Sequence, residues 1–183
     1  MDGKPKAFLQ FGGRYAIELL LKLHHKFCDQ VIIVTDNKSL YLDIKDTKIV
    51  EDKIKYMGPL FGILYGLNSS FSEINFITAC DSPFIMESVV EYLLSIAFNG
   101  KNYDVIIPFL KNNYQPLTAV YSKKCIPWIE KSLNNSMYRI TDFFPNVKVK
   151  KVYEQEIIIL DPELKSFNNI NTPEEYLYNI KNT

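Results

Sequence analysis

Three runs in this chain are apolar on both of the faces that a strand presents. They are Gln30-Val31-Ile32-Ile33-Val34-Thr35, Ile74-Asn75-Phe76-Ile77-Thr78-Ala79-Cys80 and Asp104-Val105-Ile106-Ile107-Pro108, all rich in β-branched side chains. A strand with one wet face would alternate apolar and polar positions. A continuous run instead needs cover from both sides, which is the situation of a parallel strand between helices. The intervening stretches can provide that cover: residues 60–69, 87–98 and 123–133 read as helices, and residues 15–27 place Ile17, Leu20, Leu21 and Phe27 on one helical face. Lys48-Ile49-Val50 adds a short strand. Strands alternating with helices predict an α/β fold built on a doubly wound, mostly parallel sheet.

The later part is less regular. Residues 146–153 alternate Val147, Val149 and Val152 with lysines, and residues 156–160 form another β-rich run; both read as strands near a sheet edge, where lysine discourages pairing with other chains. Thr172-Pro173-Glu174-Glu175 places a cap, a proline at the first helical position and a glutamate three residues after the cap, so a final helix is expected from there to about Asn179. The 183 residues suit a single domain spanning 1–183. Twenty-one basic residues balance twenty-one acidic ones, which favours a small ligand over nucleic acid or an anionic membrane. Cys28, Cys80 and Cys125 are widely spaced in apolar surroundings and read as reduced core thiols, and no run approaches the roughly 20 apolar residues of a membrane span. A cytoplasmic protein is expected, with no signal peptide.

Ligands of open α/β sheets bind at the carboxyl ends of strands. Three such ends carry polar groups: Thr35-Asp36-Asn37, Glu51-Asp52 and Asp81-Ser82-Pro83. Asp81 has three roles open to it. Its carboxylate can hold a hard divalent cation, which commonly uses only one or two protein carboxylates; it can cap the helix that starts near Met86; or it can close a turn with Ser82 and Pro83. A phosphoacceptor aspartate is disfavoured because the paired acidic residues such a site needs at its first strand are missing. Gly58-Pro59-Leu60-Phe61-Gly62 is either a helix N-terminus facing a ligand or an ordinary Gly-Pro helix start, and Gly12-Gly13 reads as a simple turn. There is no G-x-G-x-x-G, no P-loop and no G-x-S-x-G element. His24 and His25 lie inside a helix without metal-ligand spacing, so structural roles are expected for both.

In order along the chain, Lys4-Pro5-Lys6-Ala7-Phe8-Leu9, residues 31–37, Val50-Glu51-Asp52, Gly58-Pro59-Leu60-Phe61-Gly62, Ala79-Cys80-Asp81-Ser82-Pro83-Phe84-Ile85, Gln115-Pro116-Leu117 and Asn169-Ile170-Asn171-Thr172-Pro173-Glu174-Glu175 resemble the molybdenum cofactor guanylyltransferases. Each motif is weak alone; C-D-S-P-F together with N-I-N-T-P-E-E is specific. The resemblance implies a Rossmann-like nucleotidyltransferase fold and transfer of GMP from GTP to molybdopterin or its molybdenum form, with release of pyrophosphate and use of Mg²⁺. It also implies that Asp81 binds magnesium, that Lys6 contacts the nucleotide phosphates, that Asn37 and Asp52 bind the nucleotide, and that Asn169 and Asn171 lie near the active site on the pterin side. On chemical grounds, a carboxylate such as Asp52 can accept the guanine N1 and N2 protons, a pattern that cytosine and uracil do not offer. Molybdoenzymes or cofactor-delivery proteins would then be downstream partners. A sister activity using CTP or a sugar phosphate shares the same fold and aspartate, and a non-catalytic nucleotide binder is the third reading.

The family starts with an apolar strand running into L-A-G-G-x-S-x-R-M-G, and Met1 falls about where the methionine of that motif stands. Residues 1–14 contain only Ala7-Phe8-Leu9-Gln10-Phe11, too short and too amphipathic for a central strand. The first strand, the glycine-rich loop and its arginine are therefore missing from the pattern. Two inner sheet edges are expected to be left open, each buried unpaired backbone group costing about 1–3 kcal/mol against the roughly 5–15 kcal/mol of a whole domain. The expectation is that the natural reading frame begins upstream of Met1, or that this copy does not catalyse.

Overall fold

A computed structural model describes residues 5–52 and 58–181; Met1 and Lys4, which enter the resemblance, lie outside them. The chain begins with a 3-10 turn at Lys6–Phe8, followed by a small antiparallel hairpin of β1 (Gln10–Phe11) and β2 (Arg14–Tyr15). Gly12 and Gly13 form its two-residue turn with φ of 54° and 81°, the left-handed pair that matches the twist of the flanking strands. Helix α1 (Ala16–Phe27) starts where the Glu18 carboxylate accepts the Tyr15 N–H at 2.7 Å. Then come β3 (Ile32–Thr35), β4 (Lys48–Glu51), α2 (Pro59–Ser69), β5 (Ile74–Thr78), α3 (Glu87–Phe98), β6 (Val105–Leu110), β7 (Asn113–Tyr114), β8 (Thr118–Ser122), α4 (Ile126–Asn134), β9 (Val149–Tyr153), α5 (Glu154–Ile157) and α6 (Pro173–Lys181).

The strands form two main sheets. β3 and β4 pair in parallel, Ile33 opposite Ile49. The other sheet runs β5-β8-β6, with β7 and β9 also on β6. β8 is antiparallel to both β5 and β6, and β9 is parallel to β6, so β5, β6 and β9 share one direction and β8 opposes them. This is the mostly parallel α/β arrangement that the apolar runs predict. Alternate residues of β6 enter opposite layers. Ile106 and Leu110 pack with Leu23 of α1 and Val89, Val90 and Leu93 of α3. Val105 and Ile107 pack with Leu60, Ile63 and Leu67 of α2, Ile129 of α4 and Phe143.

Between the two main sheets lies a slot of about 670 Å³. Ile32, Ile33 and Val34 of β3 form one wall and Ile74, Phe76 and Thr78 of β5 the other; Leu20 and His24 of α1 and Gly62 and Gly66 of α2 close the remaining sides. Among the described residues, β3 is paired only with β4 and β5 only with β8, so each turns an unpaired edge toward the slot. The two open inner edges expected from the sequence are therefore present, and they face each other across an apolar gap.

Two sequence expectations fail. Residues 156–160 are not a strand: Glu154–Ile157 is a helical turn, continued by Ile158 and Leu160 donating back to Glu154 and Ile157. The Glu156 carboxylate accepts the Tyr153 N–H at 2.8 Å, and this local cap overrides the β propensity of three successive isoleucines, of which only Ile157 is buried. Cys80 is exposed and Cys28 partly buried, so the core-thiol reading holds fully for Cys125 alone; the runs around Cys80 are apolar, but a strand end faces outward. Residues 146–153 do supply an edge strand, β9.

Candidate functional site

Asp81 follows the carboxyl end of β5 in a turn in which Ser82 donates its N–H to the Ala79 carbonyl. It caps no helix, since α3 opens at Glu87 behind Met86, whose N–H is taken by Ser166 Oγ at 2.9 Å. The Asp81 side chain is 23% exposed and Lys6, 32% exposed, places its Nζ 3.3 Å from Asp81 Oδ2. The same ammonium reaches Asn171 Oδ1 at 2.5 Å. The Asn169-Ile170-Asn171 segment is clipped to the aspartate turn by two further bonds, Ile170 N–H to the Asp81 carbonyl at 2.8 Å and Ser82 Oγ to Asn169 Oδ1 at 2.5 Å.

That segment is held by the start of α6. Glu175 accepts the N–H groups of Asn171 at 2.6 Å and Thr172 at 3.0 Å, while Thr172 Oγ1 accepts the Glu175 N–H at 3.1 Å, the reciprocal cap read from Thr172-Pro173-Glu174-Glu175. Those two N–H groups, with the Lys6 charge adding a little, hold the Glu175 carboxyl below its ordinary range. The segment that follows Lys6 is fixed as well. Ala7 is buried, Phe8 packs on Tyr41 with ring centres 5.3 Å apart, and Phe11 packs edge-on against Phe84 at 5.0 Å and Tyr176 at 5.3 Å. Segments from both ends of the chain therefore converge on the aspartate turn.

Asn37 and Asp52 follow the carboxyl ends of the neighbouring strands β3 and β4. The Asp52 N–H donates to the Thr35 carbonyl at 2.7 Å, and the Asn37 N–H to Thr35 Oγ1 at 3.1 Å. Asn37 Oδ1 accepts Ser39 Oγ at 2.5 Å, and its side chain is exposed. Tyr41, in the 3-10 turn Lys38–Tyr41, is pushed above the ordinary phenol range by burial and then by the neighbouring Cys80. Gln115-Pro116-Leu117 reaches the same end, where the Leu117 carbonyl accepts the Ala79 N–H at 3.2 Å. Gly58, with φ of 88°, precedes Pro59 as a Gly-Pro helix start.

Lys6, Asp81 and Asn171 thus form one hydrogen-bonded group, to which Asn169 is tied through Ser82, and Asn37 and Asp52 stand on the other sheet. Sequence reasoning missed Ser82 as the anchor of Asn169 and Tyr41 as the support under Lys6–Phe8; the serine next to Asp81 in C-D-S-P was the available signal for the first, and nothing local signals the second. Among the described residues no three His, Cys, Asp or Glu side chains gather as a metal cluster. A single carboxylate with amide oxygens nearby is a hard, oxygen-only donor set, which fits a cation of the magnesium type that keeps most of its own water. Among the same residues no helix is long and apolar enough to cross a membrane.

Residues 1–148 match the family of the MobA-like NTP transferase domain. The chain is 34% identical over 173 residues to the molybdenum cofactor guanylyltransferase of Desulfosudis oleivorans, covering 94% of this chain and 84% of that protein. Its fold is similar to the molybdopterin-guanine dinucleotide biosynthesis protein A of Archaeoglobus fulgidus, with a TM-score of 0.82 at 24% identity over 98% of this chain and 91% of the other. It is also similar to the 4-diphosphocytidyl-2C-methyl-D-erythritol synthase of Anaerococcus prevotii, with a TM-score of 0.75 at 20% identity over 100% and 91%. With a strand-end aspartate, an ion-paired lysine and an N-I-N-T-P-E-E clip arranged on this fold, the chain belongs to the MobA-like nucleotidyltransferases.

Proposed function

We propose that this protein transfers GMP from GTP to the terminal phosphate of molybdopterin or its molybdenum form. The bond from the α-phosphorus to pyrophosphate breaks, and a bond to an oxygen of the acceptor phosphate forms. The observation that carries this reading is the Lys6–Asp81–Asn171 group at the carboxyl end of β5, in a chain 34% identical to a guanylyltransferase over nearly its whole length. Magnesium held by Asp81 would neutralise charge as pyrophosphate leaves. Lys6 orients the triphosphate and adds a second positive charge where negative charge builds up. Asp52 accepts the N1 and N2 protons of guanine, a pair that cytosine does not offer, and Asn37 binds the nucleotide beside it. Asn169 and Asn171 position the acceptor. The acceptor is already an anion, so no side chain has to remove a proton from it.

Pyrophosphate release from GTP in the presence of molybdopterin tests the reading, with CTP in a parallel arm and Asp81→Asn as the control. Turnover with GTP and a loss of about 100-fold or more in Asp81→Asn are expected. Turnover with CTP equal to that with GTP would replace guanylyl transfer with a sister activity. Saturable GTP binding with no pyrophosphate release would instead establish nucleotide binding without transfer.

A further inference from the structure

Lys6 has two acceptors that lie 75 and 165 residues away from it, Asp81 Oδ2 at 3.3 Å and Asn171 Oδ1 at 2.5 Å. An ammonium has three donors and no lone pair, so it can satisfy a carboxylate and an amide oxygen together. It thereby stands on the same oxygens that a divalent cation would use. The two positive charges compete, because a like charge within a few ångströms weakens the binding of the other. A triphosphate changes the balance, since its oxygens are better partners for the ammonium than one shared carboxylate and one amide.

We infer that Lys6 is a displaceable counter-ion built into the site: without nucleotide it holds Asp81 and Asn171 and keeps divalent cations weakly bound, and phosphate draws it away so that cation and nucleotide bind cooperatively. The inference rests on the reading of Asp81 as the cation ligand. Its geometry is local. Lys6 is carried by a 3-10 turn whose next residue, Ala7, is buried, so the backbone stays in place while the side chain, a third exposed, changes partners. The move also releases Asn171 Oδ1, which links phosphate binding on one side of the aspartate turn to the N-I-N segment on the other.

The test is Mn²⁺ binding to the full chain, read by the loss of free Mn²⁺ signal in electron paramagnetic resonance, without nucleotide and with GTP but no acceptor. Lys6→Gln retains a hydrogen-bonding amide without the charge, and Lys6→Ala removes both. Without nucleotide, both variants are expected to bind Mn²⁺ about tenfold more tightly than the wild type, the low end of what removing a neighbouring like charge does at a partly exposed site. The enhancement of Mn²⁺ affinity by GTP should shrink by a similar factor. Mn²⁺ affinity in Lys6→Gln equal to or below that of the wild type would overturn the inference. Asp81→Asn separates this from failure of the underlying reading: if Mn²⁺ binding survives that change, Asp81 is not the ligand, whatever Lys6 does.

Discussion

The ring of His24 lines the slot from α1, with Nε2 2.8 Å from Thr78 Oγ1 and its plane tilted over Phe76. Burial, and then the neighbouring His25 charge, lower its pKa from 6.5 to about 4. Between those values an unfolded histidine takes up a proton that the folded one refuses. The unfolded state therefore binds more protons, and stability falls as the pH drops below about 6.5. The protein is expected to be about 1–2 kcal/mol less stable at pH 5 than at pH 7.5, the upper figure holding if water stays out of the slot. Urea unfolding at the two pH values checks this, and His24→Gln, which can keep a bond to Thr78 without titrating, should remove most of the difference. A pH dependence unchanged by the substitution would mean that other groups set it. Sequence alone placed His24 in a helix with a structural role, and Asp81 at a strand end. It could not bring Lys6 to Asp81 and Asn171, because separations of 75 and 165 residues are set by the packing of Ala7, Phe8 and Phe11, which no local pattern encodes.

Elements with a strong period or a clear cap were legible. Helix α3 and the cap of α6 fall where the sequence placed them, because Glu87–Phe98 carries an unbroken apolar face and Thr172 and Glu175 satisfy each other's N–H groups. The run after β9 was not legible, since three adjacent isoleucines look like a strand while a single glutamate carboxylate decides the turn. The structure makes unequal claims on those isoleucines. Ile157 is fully buried and Ile159 is 79% exposed, so Ile157→Ala should cost about 2–4 kcal/mol and Ile159→Ala less than about 0.5 kcal/mol. Equal effects in chemical denaturation would restore the strand. Helix α2 offers the opposite test. Among the described residues a Cβ at Gly66 would meet only Val34 Cγ2, at 3.7 Å, so Gly66→Ala is expected to stabilise the fold by about 0.5–1 kcal/mol, measured as a raised thermal midpoint.

At the scale of the molecule, the slot follows from how the strands pair: β3 is as apolar as a central strand, yet among the described residues it is paired on one side only. Its volume of about 670 Å³ and its isoleucine, valine and phenylalanine lining suit an apolar probe. The native protein is therefore expected to enhance the fluorescence of 8-anilinonaphthalene-1-sulfonate with saturable one-site behaviour at neutral pH. Gly66→Phe, which puts a ring into the gap, should reduce it; no enhancement at all would show the slot closed in solution. The gap also divides the chemistry. Asn37 and Asp52 ride on the two-stranded sheet, Asp81 on the larger one, and no ladder bond spans them among the described residues. A nucleotide gripped at its base by the first pair and at its phosphates by the aspartate would act as a strut between two planks, so its affinity would measure how far apart they are set.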